Sequence, residues 1–363
     1  MSTAPRVHFG ASVWRLPQAA KTASAVPARA DFSAQHWRTP SMQRQQDSRI
    51  HRLSGQTMGT SWSLNLPNPD FLELQPVRAQ VQSVLDEVIA QMSNWESDSA
   101  ISRFNDAPAG SRHEMPAEFA KVLCASLQWA ERSDGALDPT MGGLVALWGF
   151  GPRAEPMVPH SGERPSAVQI DDLRRTSGFE KLPWTAGQSH IEQPGGLKLD
   201  LCGIAKGFAV DWVVERLQQA GWHNGLFEIG GELRSWGEKP NGGAWQVQLG
   251  SHGDALDDAP LVVAVTNASF ATSGDWWHHF FADGKRYSHT LDPRTGWPIE
   301  HQLASVTVHH EACMHADALA TVLTVLGVKQ GMAFAEAHEI AAVFQEHGAK
   351  PCMTPAWKAR LAS

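Results

Sequence analysis

Cysteine is scarce in this chain. Cys124, Cys202, Cys313 and Cys352 are its four among 363 residues, they stand far apart, and no C-x-x-C pair exists. An even number in a chain this long permits disulfides without requiring them. There is no dense Lys/Arg run either, and with a formal net charge of -8 the composition argues against a nucleic-acid surface. No run approaches the roughly 18 apolar residues of a membrane span, so no span is expected. The glycine spacings of a P-loop and of a G-x-G-x-x-G turn are both missing, and no internal repeat stands out. The first 49 residues carry scattered Arg, Pro, Ala and Ser, with neither the continuous apolar core of a signal peptide nor a cysteine to take a lipid. Residues 1–49 are therefore expected to be a disordered leader and residues 50–363 the folded domain. The compartment expected from the sequence as it stands is cytoplasmic.

What is present is an ordinary globular composition, 42% hydrophobic and 19% charged, long enough for a sizeable core in one large domain or two smaller ones. From Met58, the residues Met58, Thr60, Trp62, Leu64 and Leu66 alternate with small polar ones as a half-buried strand does, and Pro67-Asn68-Pro69-Asp70 ends it. Val77, Val81, Val84, Leu85, Val88, Ile89 and Met92 recur at helical spacing. The stretch 93–105 is too polar for core; its Trp95 is either a platform for a flat ligand or a tryptophan folded back on the core. A second helix is expected over 116–132, with Pro116 in its first turn, and a short one over 167–179. The segment 153–165 reads as a Pro-rich surface excursion. Short strands are expected at 225–229, 245–249, 261–266 and 340–344, and around Val306 and Val308. Residues 271–275 read as a tight polar turn, and a short helix follows Thr354. Without a regular βαβ rhythm, the expected class is α+β, a mixed α/β arrangement rather than a doubly wound one.

Four places could carry chemistry. Gly135-Ala136-Leu137-Asp138-Pro139 surrounds one acidic residue with glycine and proline, as backbone pressed close to a ligand does. Residues 197–207 read as a strand, a glycine turn and a helix start bearing Lys206, which either cradles phosphate on free N–H groups or is a plain turn. Residues 287–296 gather His289, Asp292 and Arg294 in one loop. Asp317 and Thr321 share one face of a helix whose apolar run, 319–326, closes at Gly327. A carboxylate and a hydroxyl so spaced can share one hard cation. Equally, Asp317 can answer the free N–H groups of its own helix start, and the residues alone favour that reading. The adjacent pairs His278-His279 and His309-His310 lack the spacing of a zinc site.

Together these pieces resemble the ApbE family of FAD:protein FMN transferases. The matching pieces begin with Met58-Gly59-Thr60, then Met92-Ser93 with Asp98-Ser99 and Arg103-Phe104-Asn105. Asp138-Pro139-Thr140 with Leu147-Trp148-Gly149-Phe150-Gly151 follows, then residues 200–207 with Asp211, and Ile229-Gly230-Gly231. Ser273-Gly274-Asp275, residues 288–296, and Ala316-Asp317-Ala318 with Thr321 complete the set, in the family's order. Any one piece is weak; the ordered set is strong.

The resemblance implies a single large domain of mixed sheets flanked by helices, related to the T-fold type. It implies a Mg²⁺-dependent enzyme that splits the pyrophosphate of FAD, places FMN on a threonine or serine of an acceptor protein through a phosphoester bond, and releases AMP. FAD contacts are implied at Met58, Trp95, Ala136, Leu137, Asp138, Asp200, Lys206 and Leu291; position 206 varies between lysine and glutamate in the family. Mg²⁺ ligands are implied at the Gly203 carbonyl, Asp317 and Thr321, and Asp317 and His289 are the catalytic candidates, His289 as the base toward the acceptor hydroxyl. The implied partners are FAD and an acceptor flavoprotein subunit or domain, with no nucleic acid and no membrane span. Two departures stand out. Many members are periplasmic lipoproteins, whereas this sequence shows no such leader or lipid-bearing cysteine, and Cys202 stands where small residues such as Ser are common. The competing readings are an FAD pyrophosphatase giving free FMN and AMP, and a non-catalytic flavin-binding protein. The presence of Asp317, Thr321 and His289 weighs against the last.

Overall fold

The computed structural model describes residues 49–151, 164–249, 261–274, 279–282, 285–301 and 303–361. The expected leader up to residue 48, the excursion at 153–163, Asp275 and His278 lie outside these residues. Two strands open the fold: β1 (Ile50–Thr57) and β2 (Thr60–Pro67) pair antiparallel, with Thr57 opposite Thr60. Met58 and Gly59 between them have positive φ, 47° and 73°, the handedness that suits the twist of a two-residue hairpin. The alternation expected to start at Met58 therefore starts at Thr60, and Met58 sits in the turn.

Next come α1 (Gln75–Met92), α2 (Ala100–Asn105), β3 (Arg112–Glu114), α3 (Ala117–Arg132), α4 (Gly142–Leu147), α5 (Ala167–Thr176) and β4 (His190–Glu192). The middle holds α6 (Ala205–Gln219), β5 (Gly225–Ile229), β6 (Glu232–Trp236), β7 (Trp245–Leu249), β8 (Leu261–Val265) and β9 (Ser269–Gly274). Then follow β10 (His279–Ala282), β11 (Lys285–Ser288), β12 (Leu291–Asp292), β13 (Trp297–Pro298) and β14 (Leu303–His310). The chain closes with α7 (Cys313–Ala337), β15 (Ala341–Glu346), β16 (Cys352–Met353) and α8 (Pro355–Leu361).

Eight strands make one sheet in the order β1-β2-β5-β6-β9-β14-β15-β16, every neighbouring pair antiparallel. The class is α+β. Trp62, Leu64, Phe227, Ile229, Val306, Val308 and Phe344 pack with α1, α3, α6 and α7 in the main core. Intervening positions, among them Leu233, Phe270, Ala341 and Val343, pack with the β7–β8 hairpin and Trp357 of α8. A smaller cluster joins Leu144, Trp148, Ile170, Tyr287 and Leu291.

The structure departs from the expectations in several places. Residues 269–274 are strand β9 inside the sheet, not a polar turn; Thr272 Oγ1 pairs with Thr307 Oγ1 at 2.9 Å across the ladder, which absorbs its hydroxyl. Residues 100–105 are helical and bury Ile101 and Phe104, with the Ser99 hydroxyl accepting from Ser102 N as the cap. Pro116 is the N-cap of α3 rather than a first-turn residue, and α5 stops at Thr176. Residues before Asp200 make a single bridge, Lys198 to Met141, instead of a strand.

By length and mean hydropathy (1.5), α7 passes for a membrane span, contrary to the expectation that no run comes close. Its Leu319, Val322, Leu323 and Val325 are buried in the main core, and Gly327 (φ 69°, ψ 177°) breaks it. That is the packing of a core helix. Gly327 closes the first segment as expected, and a second helical segment follows at once.

The helices α6 and α7 hold each other at their starts. A Cβ on Gly207 would run into Cys313 O and stand 2.7 Å from Asp317 Cβ, so only glycine allows this approach. Neither helix has a side-chain N-cap of its own. Asp211 of α6 accepts from Cys313 N (3.0 Å) and Met314 N (2.9 Å), and Asp317 of α7 accepts from Gly207 N (2.9 Å). Arg234 of β6 pairs with Asp211 at 2.7 Å. Asp211→Ala would strand two buried amides and that guanidinium. The expected loss is about 3 kcal/mol of unfolding free energy, read by urea denaturation. A wild-type midpoint would show that the exchanged caps carry no weight.

Candidate functional site

The starts of α6 and α7 also bring oxygens together. Thr321, one turn beyond Asp317, donates its hydroxyl to Gly203 O at 3.4 Å. A Cβ on Gly203 would stand 2.9 Å from that hydroxyl oxygen, so the carbonyl reaches Thr321 only because residue 203 is glycine. Asp317 is buried beside them, 3% exposed. A carbonyl, a hydroxyl and one carboxylate form an all-oxygen set, which fits a hard cation that keeps several waters, such as Mg²⁺. Among the described residues no group of three His, Cys, Asp or Glu is placed to hold a metal, so the softer nitrogen and sulfur donors of a zinc site are not assembled here.

Lys206, in the first turn of α6, meets Glu232 Oε1 at 2.6 Å. Glu232 is 2% exposed, and its second oxygen, Oε2, is buried without a partner among the described residues. Burial opposes the Lys206 ammonium, but Glu232 and Asp317 override it and hold its pKa above the usual lysine range. Burial pushes Glu232 up, with Lys206 pulling it back, and it pushes Asp317 up against Lys206 and the Gly207 amide. The 2.6 Å contact has the length of a charge-assisted bond, as an ammonium facing a carboxylate gives. Two carboxylates around one ammonium leave this basin net negative. Of the two readings of the α6 start, phosphate cradle or plain turn, the cradle is altered accordingly. The Gly207 amide is spent on Asp317, and an arriving anion meets carboxylates unless a cation comes with it.

The other candidate residues stand around this centre. Asp200 donates its N–H to Pro139 O at 2.8 Å and accepts from Cys202 N at 2.8 Å. Cys202 is exposed, and the Asp200 charge beside it pushes its thiol pKa up. Asp138 spends its carboxylate on its own loop: Oδ1 accepts from Thr140 N (2.8 Å) and Oγ1 (2.7 Å), and Oδ2 from Phe179 N (3.1 Å). Burial raises its pKa. Ala136 and Leu137 beside it are buried. Asn105 grips Leu199 by both backbone groups, accepting from its N–H (2.6 Å) and donating to its carbonyl (2.8 Å), and also donates to Asn94 (3.0 Å). That grip ties the Trp95 loop to the Asp200 segment. Trp95 is 57% exposed, so it stands out from the core rather than folding back on it.

The Met58 turn rests on the Gly230-Gly231 turn, where a Cβ on Gly230 would stand 2.9 Å from Thr60 Cγ2, and Glu232 follows immediately. His289 follows β11 with its ring edge-on to Phe150, centroids 6.2 Å apart. Leu291 is buried in the small cluster with Trp148. Arg294 binds Asp292 through two 2.8 Å bonds, and its Cγ lies 3.6 Å from the position of a Cβ on Gly135, which joins the His289 loop to the Gly135–Asp138 loop.

Gly203, Lys206, Asp317 and Thr321 thus form one centre. Asp138 and Asp200 are tied by the Asp200 N–Pro139 O bond, Trp95 by the Asn105 grip on Leu199 and Asn94, and Met58 by Thr60 against Gly230. Leu291 stands in the small cluster, and His289 packs on Phe150. Glu232 is the residue that the sequence reading missed; its signal was an acidic side chain heading a strand directly after a diglycine turn. The surface hollows along α1, lined by Asp86 and Ala90 among others, share no residue with this centre.

The ApbE family model matches residues 58–344. A FAD:protein FMN transferase of Haemophilus influenzae is 35% identical over 304 residues, covering 82% of this chain and 86% of that protein. One from Vibrio cholerae is 37% identical over 289 residues, covering 79% and 85%. The apo crystal structure of the flavinyl transferase ApbE of Pseudomonas stutzeri superposes with a TM-score of 0.76 at 36% identity, covering 86% of this chain and 97% of that one. With these matches over most of its length, the chain belongs to the ApbE family.

Proposed function

We propose that this chain is a Mg²⁺-dependent FAD:protein FMN transferase. The observation that carries the reading is the meeting of Gly203 O, Asp317 and Thr321 on a net negative basin, in a chain whose relatives are named for this transfer. In the reaction, an acceptor threonine or serine oxygen bonds to the FMN phosphorus, the anhydride P–O bond breaks, and AMP leaves. Gly203 O, Asp317 and Thr321 would hold Mg²⁺, which when bound neutralises the pyrophosphate and polarises the phosphorus under attack. His289 takes the proton of the acceptor hydroxyl, a general-base task that a positioned imidazole can perform. The exposed Trp95 indole offers a face to a flat ring of FAD.

The test is incubation with FAD, Mg²⁺ and candidate acceptor domains bearing a D-x-x-[ST]-G-A-T-like segment, followed by mass spectrometry. An acceptor heavier by one FMN is expected; free FMN and AMP with no added mass on any acceptor would sink the transferase reading in favour of FAD hydrolysis. Asp317→Asn keeps an acceptor for the Gly207 amide but removes the charge. Its Mg²⁺-dependent turnover should fall about 100-fold or more while FAD binding, followed by flavin fluorescence, stays measurable. Unchanged turnover would put the metal elsewhere. His289→Ala should slow transfer roughly 100-fold or more with FAD affinity kept. A wild-type rate would take the base role from it.

A further inference from the structure

We propose that Glu232 is a positioning residue that masks the charge of Lys206, and so makes capture of the FAD pyrophosphate depend on a divalent cation. The proposal deepens the transferase reading and rests on it. Lys206 is the ammonium at the start of α6, where a lysine by itself would draw phosphate without help from a metal. It does not stand by itself. Glu232 Oε1 takes it at 2.6 Å from a position on β6 that is almost fully buried, whereas Lys206 keeps about a third of its side chain open. The anchor is therefore the carboxylate, and the lysine is the part that faces outward.

Three features fix the carboxylate there. Gly230 and Gly231 both have positive φ, 55° and 107°, and deliver β6 with Glu232 at its first position. Gly231 N donates to Glu228 Oε1 at 3.0 Å, which closes that turn. Glu232 is opposite Ile229 in the β5–β6 ladder, so the register sets its direction. Its Oε2 then lies buried with no partner among the described residues, an arrangement that costs stability and is retained where a site needs it. With Glu232 ionised, Lys206 and Asp317 nearby leave the centre with one net negative charge. A pyrophosphate then binds well only with a cation on the Gly203, Asp317 and Thr321 oxygens.

The test is the FAD dissociation constant with and without Mg²⁺, read by flavin fluorescence on the full chain. Glu232→Gln has the same shape and unmasks Lys206. It should tighten FAD binding without Mg²⁺ several-fold and shrink the ratio of the two constants by roughly tenfold. The double variant Glu232→Gln with Lys206→Gln returns the centre to its original net charge and should restore the ratio toward wild type, whatever contact Lys206 itself makes. A merely structural Glu232 predicts weaker binding with and without the metal, and a further loss in the double variant. A ratio unmoved by Glu232→Gln, or not restored in the double variant, overturns the proposal. Wild-type FAD binding with no Mg²⁺ dependence would instead fail the magnesium reading, which keeps the two failures apart.

Discussion

Two carboxylates exchanged between two helices hold this centre in place. Asp211 leaves α6 to cap α7, and Asp317 leaves α7 to cap α6, with Gly207 as the point where the backbones come close enough for both. A buried carboxylate costs several kcal/mol unless donors surround it, and the open N–H groups of a helix start are donors already aimed. Each helix therefore satisfies the other's buried charge. The register that this fixes along α7 also decides where Thr321 falls, and hence that its hydroxyl meets Gly203 O.

The antiparallel sheet contributes by placement. β5 and β6 turn tightly at Gly230-Gly231, which puts Glu232 at the head of a buried strand and Lys206 against it. The same turn supports Thr60 from the β1–β2 hairpin, so Met58 reaches the same neighbourhood from the far end of the sequence. Asn105 and Pro139 then fasten the 199–200 segment from the other side. The outcome is a small, net negative, oxygen-rich centre bordered by loops, an arrangement suited to positioning a metal and a phosphate rather than to covalent chemistry by the protein.

Much of the fold was legible in the residues. The spacing of Val77, Val81, Val84 and Val88, and the alternation of Trp62, Leu64 and Leu66, named α1 and β2, because burial of one face leaves a period in the sequence. Local chemistry misled where tertiary pairing overrode it. Ala271, Thr272, Ser273 and Gly274 carry turn residues, yet the ladder to β14 makes them strand. Asp317 was rightly read as a cap, but for the wrong helix, since nothing in the spacing shows that a partner's amide lies closer than its own. The site was less legible. A backbone carbonyl such as Gly203 O leaves no trace in residue identity, so only the resemblance pointed to it. Glu232 and Asp211 act across more than 20 residues of sequence, on Lys206 and Arg234. Only the fold shows such pairs.

The central placement can be read directly from a crystal of the chain grown with FAD and Mn²⁺ in place of Mg²⁺. An anomalous peak within about 2.3 Å of Gly203 O, the Asp317 carboxylate and Thr321 Oγ1, bridged to the pyrophosphate, is the expected result. A peak held by other residues, or FAD bound with its phosphates seated on Lys206 and no metal at those three oxygens, would contradict it.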